Sequence, residues 1–176
     1  MSSTLKYIIR AILLLLIQYV LCTEVLLGGY ITPYIYFLYI LWLPFTIKRT
    51  TLLFVAAAYG LAFGYITQAP GLHAAACVLI AYLRPFIISI LLPREVKELN
   101  YAEPSVQSMG LAPYSVYVVT LTIVHHLYLI LLQWISVSHL THFIVKAILS
   151  TVVSLVLVAI TEVIVNRTKK TRASLQ

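Results

Sequence analysis

Aspartate is missing from the 176 residues, and the five acids are all glutamates. Charged side chains occupy only 10% of positions, against about 25% in a soluble domain, so this chain could not build a water-facing shell. The two cysteines, Cys22 and Cys77, stand far apart in apolar surroundings with neither CxxC nor metal-ligand spacing, and read as structural thiols. There is no GxSxG, no HExxH, no glycine-rich phosphate loop and no pair of acids within an apolar run. General acid–base chemistry has few candidates here, so the expectation is a protein that is not an enzyme and carries no cofactor.

What remains is apolar: 62% of residues are hydrophobic and the mean hydropathy is +1.00. The net charge of +7 does not signal nucleic-acid binding, because the basic residues lie at chain ends and turns rather than on one soluble face. Lys6 and Arg10 before the run Ala11 to Leu21 imitate a secretory signal. No small-x-small cleavage site follows, and Leu21 precedes Cys22 where a lipoprotein signal has a small residue. A retained helix is expected.

The expected fold is all-α, a polytopic membrane helix bundle of about six transmembrane helices in one integral membrane domain, 1–176. Apolar runs of spanning length place the spans at about 7–27, 32–44, 51–66, 72–92, 114–135 and 139–165. The turn Gly28-Gly29-Tyr30 follows the first. The second is short and aromatic, with Tyr34, Tyr36, Phe37, Tyr39 and Trp42. A polar loop, 93–113, holds Glu95, Glu98 and Glu103, and a basic tail covers 166–176. Ten of the twelve Lys and Arg residues fall at the N-terminus, in the even-numbered loops or at the C-terminus. The odd-numbered loops hold none. The excess of basic residues on the cytoplasmic side of membrane proteins thus predicts both termini inside. The alternative is five spans with the second segment lying in the interface.

The chain is organised around Pro70 to Arg94, PGLHAAACVLIAYLRPFIISILLPR. Arg84 lies deep in an apolar run, where insertion costs about 2.5–3.5 kcal/mol, so it must reach a headgroup, water or a polar partner. Pro85 beside it frees the carbonyl of Ala81. Two readings stand: a snorkelling arginine, or an internal polar joint around which other helices pack. Ala56, Gly60 and Gly64 at i, i+4, i+8 allow close helix approach in lipid, against Ala74 to Ala76 of the next span or against another subunit. Ser115, Thr122, His126 and Gln133 share one helical face. Ser150, Ser154 and Thr161 are small enough to seat against a neighbour, and Lys146 and Glu162 sit near opposite ends of the last span. His139, His142 and His73, with Glu24, would be the only zinc candidates, and the expectation is no metal. His125 and His126 are adjacent, so their rings diverge by about 100° and do not chelate together.

The ordered set TPYIY, GLHAAA, LRPF, PR and HH resembles the MreD family of rod shape-determining proteins, in the form found in Bacteroidetes-type bacteria, over nearly the whole chain. The matching positions are Pro33, Tyr34, Gly71, His73, Arg84, Pro85, Pro93, Arg94, His125 and His126. Two departures stand out: the segment Gly64 to Gly71 is short and lacks the aspartate usual in relatives, and Gln133 stands in place of a glutamate. The resemblance implies a fold similar to the substrate-binding subunit of energy-coupling-factor transporters. It also implies a non-enzymatic inner-membrane scaffold of the cell-elongation (rod) machinery that binds MreC. Through MreC it would reach the MreB filament, a RodA-type glycosyltransferase and a class B penicillin-binding transpeptidase, with membrane lipid around it and no nucleic acid. The rival expectation is a small-molecule-binding transporter subunit with an outward pocket near His73, Tyr30 and Trp134.

Overall fold

The computed structural model describes residues 3–24, 31–92, 103–134 and 140–173. Seven helices follow in order: α1 (Ser3–Glu24), α2 (Leu38–Leu41), α3 (Arg49–Ile66), α4 (Pro70–Leu91), α5 (Val106–Met109), α6 (Leu111–Trp134) and α7 (Leu140–Ala173). Five of them, α1, α3, α4, α6 and α7, are long and apolar enough to cross a membrane. Their outward faces are apolar, with Ile8, Ile12, Phe54, Ile90, Leu127, Val152 and Val156 exposed. Gln18, His73, Arg84, His125, His126, Ser150 and Ser154 are buried instead. An apolar exterior around a polar interior is the arrangement that lipid as solvent selects. The protein is an all-α multi-pass membrane bundle.

The expected second span, 32–44, is where the structure departs from the sequence reading. It is not a spanning helix: the chain is non-helical from 31 to 37, and α2 is only four residues long. The cause is local. Pro33 forces Thr32 out of the helical region and Pro44 does the same to Leu43. Between the two prolines, Tyr34, Ile35, Tyr36, Phe37, Tyr39 and Ile40 are aromatic and β-branched residues that favour extended chain.

The segment nevertheless runs alongside the long helices. Its beginning bonds Ser150 early in α7 and Gln18 late in α1. Its end meets Glu162 late in α7, Arg10 early in α1 and Arg84 late in α4. Its two ends bond α7 at Ser150 and Glu162, which lie about 18 Å apart along that helix at ~1.5 Å per residue. The described residues thus hold five helices of spanning length with the segment 31–44 packed among them. The start of α1 and the end of the apolar part of α7 lie at the same end.

α3 and α4 form a tight antiparallel hairpin. A Cβ on Gly60 would come within 2.6 Å of the Ala74 Cα and 2.7 Å of the His73 carbonyl oxygen, so only glycine permits this approach. Gly64 meets the Pro70 backbone in the same way, and Ala56 is buried beside them. The small-residue row thus serves contact within the chain. The turn 67–69 is closed by Ala69 N–H on the Gly64 carbonyl at 2.7 Å, with Gln68 left-handed at φ 58°. Pro70 then occupies the first turn of α4, where its missing N–H is harmless. Pro85 lies inside α4, which stays helical from Pro70 to Leu91.

Candidate functional site

A non-helical chain at membrane depth has peptide groups that no lipid can satisfy, so side chains of the surrounding spans must do it. Gln18 does most at the first half. Its Oε1 accepts from Ile35 N–H at 2.7 Å and from Tyr36 N–H at 3.2 Å, and its Nε2 donates to the Pro33 carbonyl at 2.8 Å. Ser150 and Ser154 of α7 accept from Thr32 N–H at 3.0 Å and Tyr34 N–H at 2.8 Å. The Tyr59 hydroxyl donates to the Tyr36 carbonyl at 3.2 Å, and the Tyr117 hydroxyl to the Leu41 carbonyl at 2.9 Å. Arg84 completes the second half: Nη2 donates to the carbonyls of Leu43 and Pro44, and Nε to the Tyr117 hydroxyl at 3.0 Å. The two prolines remove two donors that would otherwise need partners.

Arg84 is therefore the internal polar joint, not a snorkeller. Its fork reaches carbonyls 40 and 41 residues away in sequence rather than the Ala81 carbonyl in its own helix.

Above this joint lies a histidine–tyrosine cluster. The Tyr36 hydroxyl stands 3.0 Å from both His73 Nδ1 and His125 Nε2. Having a single proton, it donates to one ring and accepts from the other. His126 is oriented separately. The Thr122 carbonyl only accepts, so the proton sits on Nδ1 at 2.9 Å, and Nε2, 2.8 Å from Ser154, accepts that hydroxyl. Ser154 thereby links the ring to the Tyr34 backbone. Phe37 stacks on His125 at 4.6 Å and Phe63 stacks on Tyr36 at 4.4 Å. Among the described residues, His125 Nδ1 is the one buried side-chain atom without a partner.

A third group closes the end of the bundle where the segment finishes. Glu103 accepts from Lys6 at 2.6 Å, Arg10 at 2.7 Å and the Tyr7 hydroxyl at 3.0 Å. It is held in place by α5. Ser105 and Ser108 form a reciprocal capping box, Ser108 also bonds the Glu103 carbonyl, and Gly110 turns the chain at φ 83° into α6. Burial alone would raise the Glu103 carboxyl, but the hydrogen bonds and charges of Arg10 and Lys6 outweigh it and hold it below its ordinary 4.5. Beside it, Trp42 Nε1–H at 2.6 Å and the Tyr114 hydroxyl both donate to Glu162 Oε1.

The structure gathers His73, Arg84, His125 and His126 around the threaded segment and places Pro85 next to Arg84 in α4. Gln133 joins them by hydrogen-bonding the Tyr34 side chain. Gly71 is exposed, and an added Cβ there would meet nothing within 4 Å, so sterics do not require glycine at that position. Arg94, Pro93 and Tyr30, and the side chains of Trp134, His139, His142 and Glu24, lie outside the described residues. Among the described residues no group of three metal-ligating side chains occurs. The expected polar face on α6 divides. Thr122 bonds its own Val118 carbonyl, His126 and Gln133 face the segment, and Ser115 is exposed.

Gln18, Tyr59 and Tyr117 were not singled out by sequence reasoning, although they carry much of the work. The signal was there for Gln18, a lone amide in an apolar run of α1. The two tyrosines look like ordinary core aromatics.

The fold and the polar lock define the class, an all-α polytopic membrane bundle built around a buried non-helical segment. Compared with known proteins, the chain matches no protein-family model, no curated protein and no solved structure.

Proposed function

We propose that this protein is a non-enzymatic scaffold subunit of a bacterial cell-elongation complex, seated in the inner membrane with both termini cytoplasmic. It binds MreC and through it helps couple the MreB filament, a RodA-type glycosyltransferase and a class B penicillin-binding transpeptidase to peptidoglycan synthesis and cell shape. One observation carries the reading: residues of the family-like motifs, scattered through the sequence, converge in space. Tyr34, His73, His125 and His126 meet as ring pairs, and Arg84 closes the same segment. A motif set whose members bond one another and the backbone builds a rigid frame rather than an open reaction centre. The frame leaves the outer faces of α1 and α7 to lipid or to neighbouring helices. The shared end of α1 and α7 carries Lys6, Arg10 and the basic sequence after Val165, in keeping with a cytoplasmic location.

Purification of the tagged protein from its native membrane in mild detergent, with co-purifying chains identified by mass, tests the proposal. Recovery of MreC with wall-synthesis enzymes is the expected result. Recovery of an ATP-hydrolysing pair instead would make the chain a transport subunit.

A further inference from the structure

Between α6 and α7 the bundle is not closed. A cavity of about 660 Å³ opens sideways between the first half of α6 and the second half of α7, floored by α5. Its deep part is apolar, lined by Val118, Val119, Leu155 and Val158. Its other end carries Gln107, Ser115, Tyr114 and Glu162. That polar end lies where Trp42 and Tyr114 bond Glu162 and where Arg10 packs over Trp42. Indole and phenol groups are enriched at the headgroup level of a bilayer.

Glu162 sets the chemistry. Both its neutral donors are on Oε1, and among the described residues the ion pairs of this end, Lys6 and Arg10, go to Glu103 instead. Among the described residues no lysine or arginine lines the cavity. A carboxylate only accepts, and an ammonium group brings three donors and the opposite charge. An anionic headgroup would meet the repulsion of this carboxylate.

We propose that this cavity is a binding site for one phospholipid with a primary-amine headgroup. The ammonium sits on Glu162, the hydroxyl of Ser115 and the amide of Gln107 serve the phosphate and ester region, and an acyl chain lies along Val119 and Leu155. The volume fits a single small amphiphile, since such sites measure about 300–1,000 Å³. A protein partner engages about 20–30 residues a side, whereas twelve line this cavity. The inference does not depend on the scaffold reading.

The experiment is native mass spectrometry of the full chain in mild detergent, titrated with phosphatidylethanolamine, phosphatidylcholine and phosphatidylglycerol of identical acyl chains. One phosphatidylethanolamine is retained about tenfold more tightly than the trimethylated lipid, the worth of one charge-assisted hydrogen bond. Glu162→Gln abolishes the preference. Val119→Trp, a groove-wall change that leaves Glu162 untouched, blocks retention altogether even if Glu162→Gln does not fold. Melting temperature without added lipid controls for folding. Equal retention of the three lipids, or a preference that survives Glu162→Gln, overturns the site. So does a co-purifying polypeptide released by Val119→Trp, which would give the groove to a protein helix.

Discussion

The α3–α4 hairpin and the threaded segment 31–44 lie side by side in the same interior and are held by opposite means. In the hairpin each helix satisfies its own peptide groups, and the pairing depends on what is missing: side-chain volume at Gly60 and Gly64. The segment holds two of the three largest fully buried side chains among the described residues, Tyr36 and Phe37, yet its peptide groups depend on polar atoms lent by α1, α3, α4, α6 and α7. One region fails when volume is added. The other fails when a polar atom is removed at constant volume.

The largest effect should come from Gln18→Leu. The substitution keeps the bulk but strands two N–H groups and one carbonyl, at about 1–3 kcal/mol each. We expect a loss of at least about 3 kcal/mol, read as a steep fall in melting temperature or in the folded fraction in detergent. If Gln18→Leu is silent, the segment is held by packing alone and the contrast disappears. Gly60→Val comes next, because the two backbones cannot both stay where they are. Overpacking of this kind costs about 1–3 kcal/mol, and Gly60→Ala should already show much of the same loss, because the Cβ itself meets the α4 backbone.

A smaller change follows from acid. Glu103 has a lowered folded pKa, so its clamp on Lys6 and Arg10 contributes fully above its ordinary 4.5 and is lost as pH falls through the lower folded value. Thermal stability measured between pH 7 and pH 3 should therefore fall at the acid end. Glu103→Gln should flatten that part of the profile. Least of all, Gln68→Gly relieves a left-handed residue, φ 58°, and should raise stability by less than about 1 kcal/mol.

Much of the candidate site could be read in the chain, and the limits of that reading have physical causes. Arg84 beside Pro85 in an apolar run announced a guanidinium in need of acceptors and left a snorkeller and an internal joint both open. It did not announce which acceptors, since Leu43 and Pro44 are reached only through folding. The glycines of α3 announced a close helix contact, and the contact proved to be with α4. The aromatic segment 32–44 was given the wrong secondary structure. An apolar run of that length suits either a helix or an extended strand when its hydrogen bonds can come from outside.

By itself, the sequence determined the solvent. Too few charges exist to face water, the apolar runs are long enough to cross a bilayer, and the basic residues gather at alternate turns. Those are additive properties of local composition. Only the tertiary structure decided that the segment 31–44 has no long helix, that Gln18, Tyr59, Tyr117 and Arg84 substitute for its ladder, and that Glu162 is left beside an apolar groove. Each of those rests on atoms brought together from distant helices, and a peptide group in lipid takes whichever partner the fold delivers to it.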